Sequence, residues 1–218
     1  MPIAANTIAL YNFENNALDS SGNGYDLVTV GTLAYNTTPT PIPQGLMDVG
    51  VFSDSNYFDT PGGFKTALSG LAAGTIEGYV YFNSITNTPM ICSWNDSTDN
   101  YFYVTAAGAL GFTQQSVTNI ESAPGLIITG GWYDVAATWD GSNLNIYINN
   151  TNVGSVSASY ETQAMTAFLI GRFNLADGFS LDGYMDELRF SSVARTTFPT
   201  VDPAPGDGAA LLDRRRRR

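Results

Sequence analysis

Histidine is missing from this 218-residue chain altogether. Without an imidazole there is no Ser-His-Asp triad, no Cys-His dyad and no histidine metal ligand. Cysteine occurs once, at Cys92, so no intramolecular disulfide can form. A chain of this length can bury enough core to fold without one. Cys92 sits in an apolar stretch and reads as a small buried hydrophobe. Charged residues make up only 13% of the chain, and Lys65 is the single lysine. Scarcity of Lys and Glu argues against helices, and no stretch is amphipathic over enough residues for a substantial one. No run approaches the roughly 18 apolar residues of a membrane helix. The opening MPIAANTIALYNF has no basic region followed by an apolar core, so no signal peptide is expected.

What is present suits β-structure. Tyr and Phe number 12 each and Gly 22, among many Asn, Ser and Thr, which fits short strands joined by tight turns. Strands are expected at 7–13, 47–52, 75–82, 90–94 and 101–105. In 75–82, Ile76, Gly78, Val80 and Phe82 alternate with Glu77, Tyr79 and Tyr81. Residues 132–139, 144–149 and 153–156 form a meander, turned at Asp140-Gly141 and again at 149–152. Strands at 167–172 and 181–190 complete the series, the last with Tyr184, Asp186, Leu188 and Phe190 on one face. Trp132 and Trp139 read as core. Turn signals about every ten residues predict an all-β antiparallel sandwich of two sheets. The domain is placed at 3–198, followed by a Pro/Gly-rich linker and tail over 199–218.

Charge is unevenly distributed. The net is −11, yet Arg214, Arg215, Arg216, Arg217 and Arg218 run unbroken at the end. The four remaining cations, Lys65, Arg172, Arg189 and Arg195, stand against 20 acidic residues, so the rest of the chain carries −16. An acidic body repels nucleic acid and anionic membrane. Contact with such partners would go through the arginine tail, which could instead dock on phosphates or carboxylates of a protein partner. Sequons at Asn36, Asn95 and Asn149 read as chance matches in an Asn- and Thr-rich chain.

Several segments in order resemble the laminin G-like, concanavalin A-like lectin-glucanase jelly-roll family. Residues 9–14 and 17–24 (ALYNFE and ALDSSGNG) resemble its first strand and loop. Residues 130–141 (GGWYDVAATWDG) resemble the pattern W-x-H-V-A-x-T-x-D-G, with Asp134 where His is usual. Residues 144–153 resemble the L-Y-I-N-G hairpin, with Asn150 in place of Gly. Residues 170–172 resemble I-G-x, and 181–190 (LDGYMDELRF) resemble the closing F-x-G-x-I-D-E-V-R-I. The resemblance implies a jelly roll of two stacked antiparallel sheets with first and last strands adjacent. It does not choose among lectins, glycanases, adhesion modules and virion proteins.

Three constellations could carry chemistry. Asp19, Ser21 and Asn23 place hard oxygens at alternating positions before Gly24, the first half of a calcium loop. The closing carboxylate is missing, with Val30 in its place, and the alternative is a plain Asx-type turn. The resemblance would add Asp186 and Glu14 as ligands of a structural calcium. Laminarinase-type relatives carry Glu-x-Asp-x-x-Glu on one strand, because two carboxylates must flank one glycosidic bond. No such pattern occurs here, so the chain is not expected to be an enzyme. Two loops combine aromatic and polar residues as sugar sites do. They supply Trp94, Asn95, Asp96, Asp99 and Tyr101, and Asn174 with Asp177. The alternative is that Trp94 and Phe179 are core.

Two functions remain. One is a non-catalytic module on a virion surface, a phage decoration or adhesion protein docked through its arginine arm. The other is an extracellular, calcium-stabilised carbohydrate-binding lectin. Either could form a homo-oligomer.

Overall fold

The computed structural model describes residues 6–35, 50–53, 55–95, 99–114, 118–173 and 178–198. Residues 3–5 and the 199–218 segment, with its five terminal arginines, lie outside them. Fourteen strands and one short helix follow in order: β1 (Thr7–Tyr11), β2 (Val28–Val30), β3 (Gly50–Phe52), β4 (Tyr57–Asp59), α1 (Gly62–Leu68), β5 (Gly74–Ser84), β6 (Met90–Asn95), β7 (Asp99–Val104), β8 (Leu110–Gln114), β9 (Thr118–Glu121), β10 (Trp132–Trp139), β11 (Asn143–Ile148), β12 (Thr151–Ser157), β13 (Ala167–Ile170) and β14 (Asp182–Ser191).

They form two antiparallel sheets. The first runs β1-β14-β5-β10-β11-β12, with β3 also on β14; the second runs β2-β4-β13-β6-β7-β8-β9. First and last strands are adjacent, Tyr11 opposite Leu188. This is the expected jelly-roll sandwich. Between the sheets lies an aromatic core that includes Phe13, Phe58, Trp94, Phe112, Trp139 and Phe168, each almost fully buried. Burial of each such ring contributes roughly 1.5–3 kcal/mol. Cys92 is there too, and burial pushes its thiol pKa up, so it stays an unreactive thiol.

The meander forms as its turn chemistry dictates. Asp140 Oδ1 accepts the Ser142 and Asn143 amides, which hold its carboxyl below the usual range. Asn149 and Asn150 both take positive φ, 49° and 61°, the combination a type I′ hairpin turn requires. Asn can therefore stand in for the Gly usual at this turn.

Four strands are not apparent from sequence pattern alone: β2, β4, β8 and β9. Two are only three residues long, too short to show alternation. Helix α1 is equally local. Its buried Phe64 and Leu68 lie one turn apart, and Phe64 meets Phe168 and Phe190 edge-on at 5.2 and 4.9 Å. It thus plugs the sandwich between one strand of each sheet.

Strand β14 departs from simple alternation. The pairing with β5 shifts between Asp186 and Arg189, and Glu187 has φ 48°. Asp186 Oδ1 accepts the Glu187 amide at 2.7 Å. This bulge inserts one extra residue. Tyr184, Asp186, Leu188 and Phe190 therefore do not share a face: Met185, Leu188 and Phe190 join the core, while Tyr184 meets Tyr81 on the other side at 5.7 Å. Trp132 is a second correction. Val135, Ala137 and Trp139 of its strand point inward, so by parity Trp132 faces outward. It is half-buried against Tyr81 at 5.7 Å.

Candidate functional site

The outer face of the second sheet carries the most suggestive arrangement. On β7, Phe102 and Val104 are core, so Tyr101 and Tyr103 face outward. Antiparallel register sets Ser93, Tyr101, Thr113 and Asn119 in one row across β6 to β9. Tyr103, Gly111 and Glu121 form the next row. Gly111 is required there, because a Cβ would come within 2.4 Å of the Tyr103 ring. The ring lies across the bare backbone, and its hydroxyl donates to Glu121 Oε1 at 2.6 Å. Burial, reinforced by that carboxylate, raises the Tyr103 pKa. Thr113 Oγ1 donates to Asn119 Oδ1 at 2.7 Å. Polar groups are thus tied down beside the ring.

Tyr103 is only 5% exposed and supports the rings beyond it. Its ring meets Tyr101 at 5.2 Å, Tyr101 meets Phe173 at 5.6 Å, and Phe173 meets Phe179 at 5.8 Å. Two details fix where Phe173 leaves the sheet. Ser93 Oγ donates to the Arg172 carbonyl at 2.8 Å, and the Arg172 guanidinium lies 4.7 Å over the Tyr57 ring. Phe179 remains 40% exposed. The result is a row of four rings, edge to face, flanked by hydroxyl, amide and carboxylate groups. Such a surface offers apolar faces to sugar C–H groups and hydrogen bonds to sugar hydroxyls.

The expected ligand residues divide on this geometry. Tyr101 is in the row. Trp94 is not available: it is 1% exposed, stacked 5.3 Å from Phe168, with Nε1 donating to the Tyr160 hydroxyl. Strand parity turns it inward, so it is core. Asn95 ends β6, where its carbonyl accepts the Thr166 amide, and Asp99 pairs opposite it. Asp96, Asn174 and Asp177 lie outside the described residues. Phe179, by contrast, is surface rather than core. Sequence reasoning missed Tyr103, Thr113, Asn119 and Glu121. The period-two spacing of Tyr101 and Tyr103 was a usable signal; nothing local marked the other three.

The stretch 52–197 matches a family model described as the concanavalin A-like lectin/glucanases superfamily. The chain belongs to this superfamily. Solved structures share its fold. One is domain 4 of AbnA, a GH43 extracellular arabinanase from Geobacillus stearothermophilus, in complex with arabinotriose. It is 18% identical over 87% of this chain and 93% of that one, with a TM-score of 0.66. The binding domain of Paraclostridial Mosquitocidal Protein 1 is 11% identical over 87% of this chain and 49% of that one, at 0.64. The botulinum neurotoxin serotype C1 binding domain is 13% identical over 88% and 49%, at 0.59. This chain spans about half of each of those two toxin chains. No curated protein matches it by sequence.

In this superfamily member the candidate calcium residues serve as a clasp. Asp19 Oδ1 accepts the Leu10 and Ser21 amides, and Oδ2 accepts the Ser21 hydroxyl and the Tyr25 amide. Four bonds occupy the roughly four lone-pair positions of a carboxylate. Ser21 and Asn23 donate to the Ile8 carbonyl. All three residues thus bind the loop to β1. Glu14 is exposed, and Asp186 sits opposite Tyr79 at the β14 bulge. Among the described residues no group of three or more acidic or thiol side chains is placed to hold a metal ion.

A second polar cluster lies on the outer face of the first sheet. Residues 192–198 leave β14 and cross it: Arg195 meets Glu77 at 3.3 Å, and Phe198 packs on Tyr147 at 4.9 Å. Glu77 also pairs with Arg189 at 3.6 Å. Beside them Asp134 is buried, which pushes its carboxyl up to about 6. Asn150 Nδ2 donates to it at 3.3 Å.

Proposed function

We propose that this chain is a non-catalytic carbohydrate-binding module that holds a glycan along Tyr101, Phe173 and Phe179, with the buried Tyr103 ring supporting Tyr101 from below. The three accessible rings at the end of this row, Tyr101, Phe173 and Phe179, carry the reading. Rings held edge to face by their neighbours lose little freedom on binding, and the exposed Asn119 and Glu121 lie where sugar hydroxyls need partners. The arabinanase domain, solved with arabinotriose, supports the reading by fold and ligand class. Catalysis is not part of it, because the most buried glutamate, Glu77, is ion-paired to two arginines and covered by the 192–198 segment. A module of this kind works where polymeric glycans are met, outside the cell. Among the described residues no helix is long and apolar enough to cross a membrane.

The experiment is affinity electrophoresis and a glycan array with the purified chain, then with Tyr101→Ala and Phe173→Ala. Binding should be saturable and lost in both variants while their melting temperatures stay near that of the parent. Absence of binding to every glycan, or binding indifferent to both substitutions, would sink the proposal. The virion-decoration reading depends wholly on Arg214–Arg218. Its test is deletion of 211–218: assembly with a virion partner that survives the deletion removes that reading.

A further inference from the structure

A separate cleft opens at the rim of the sandwich. Ser53 after β3, Ser84 at the end of β5, Asn87 and Pro89 in the following turn, and the 178–182 segment entering β14 enclose about 200 Å³. This is below the roughly 300–1,000 Å³ of pockets that take drug-sized ligands. Its accessible walls are hydroxyl, amide and carboxylate groups, with Pro89 and Leu181 buried behind them. Among the described residues no cation lines it, and Asp182 places a negative charge at its edge. An anionic ligand is therefore repelled, and a purely apolar one would strand the polar walls.

Its donors and acceptors are only partly used. Asp182 Oδ1 accepts Asn83 Nδ2 at 3.2 Å, and the Ser84 hydroxyl bonds to Thr86. Asn87 is exposed at the mouth. Ser180, 8% exposed, carries a buried hydroxyl with no hydrogen-bond partner among the described residues. Unsatisfied buried hydroxyls are uncommon and call for a reason.

From this geometry we propose that the cleft is a second binding site, for a single neutral sugar ring. The ring hydroxyls bond to Asn87, Asp182, Ser84 and Ser53. The site is distinct from the aromatic row: the 178–182 segment places Ser180 in the cleft wall, while Phe179 is part of the row. It does not require the row to bind glycan.

Amide NMR titration of the full chain tests this with methyl α-D-glucopyranoside, methyl β-D-galactopyranoside and methyl α-L-arabinofuranoside. At least one should give saturable shifts at Ser53, Ser84, Asn87, Ser180 and Asp182. Asn87→Ala and Asp182→Ala, both at exposed positions, should each raise the dissociation constant about tenfold, the loss of one good hydrogen bond. Tyr101→Ala should leave it unchanged. No shift at the cleft amides with any glycoside overturns the inference, as do shifts that survive both substitutions. Shifts confined to Tyr101, Tyr103 and Phe173 would overturn it too, while supporting the aromatic face.

Discussion

Replacing Asp134 by Asn should stabilise the protein at neutral pH and do nothing in mild acid. Asp134 is 6% exposed, and burial raises its pKa from the ordinary 3.8 to about 6. The folded state therefore binds a proton more readily than the unfolded state between those values. The contribution of Asp134 to stability is most favourable below pH 4 and is lost as pH rises through 6, because the buried carboxylate must then ionise. A displacement of roughly two pH units is worth about 3 kcal/mol at 1.36 kcal/mol each. Asn is close to isosteric, never ionises, and can still accept from Asn150 through its amide oxygen. Some charge-assisted character of that bond is lost, so the net gain at pH 7.5 should be about 1–3 kcal/mol. At this chain length that corresponds to roughly 3–10 °C in melting temperature. Tyr79, Glu77, Glu187 and Arg189 line the same pocket, so the quantity to follow is the difference between variant and parent. Urea unfolding at pH 4.0 and 7.5, read by circular dichroism, measures it. A gain of equal size at both pH values, or none at pH 7.5, would refute desolvation of Asp134 as the cause.

Gly111→Val should push the Tyr103 ring off the β7–β8 backbone and abolish glycan binding at the aromatic face, with a stability loss of about 1–3 kcal/mol from overpacking; unchanged tyrosine fluorescence would argue against it. Asp19→Ala removes four hydrogen bonds to one carboxylate and should cost roughly 2–4 kcal/mol, equally with calcium and with chelator. A loss seen only in calcium would support the metal reading. Phe198→Ala should uncover Ala136 and Tyr147 and lower stability by about 1–3 kcal/mol, measurable as a shift in urea midpoint.

Sandwich class and most strands follow from local chemistry. Alternation in β5 and β10 separates inward Val80 and Val135 from outward Tyr79 and Asp134, because the side-chain period of a strand is two. Asp140-Gly141 and the Asn149-Asn150 turn set the meander for equally local reasons. The family motifs tied these pieces to one jelly roll. Local pattern failed where geometry departs from the period. A bulge at Glu187 turned Leu188 away from the side that Tyr184 occupies, and nothing before it in sequence signals the extra residue. Trp94 reads as a sugar platform beside a polar loop, yet its parity on β6 places it against Phe168. The candidate face depends on tertiary structure most of all. Tyr103, Gly111 and Glu121 become neighbours only through the register of β7, β8 and β9. Phe173 joins them only because β13 pairs with β6, some 75 positions away in chain numbering. Which residues face outward is a property of each strand; which outward residues meet is decided by long-range pairing between strands.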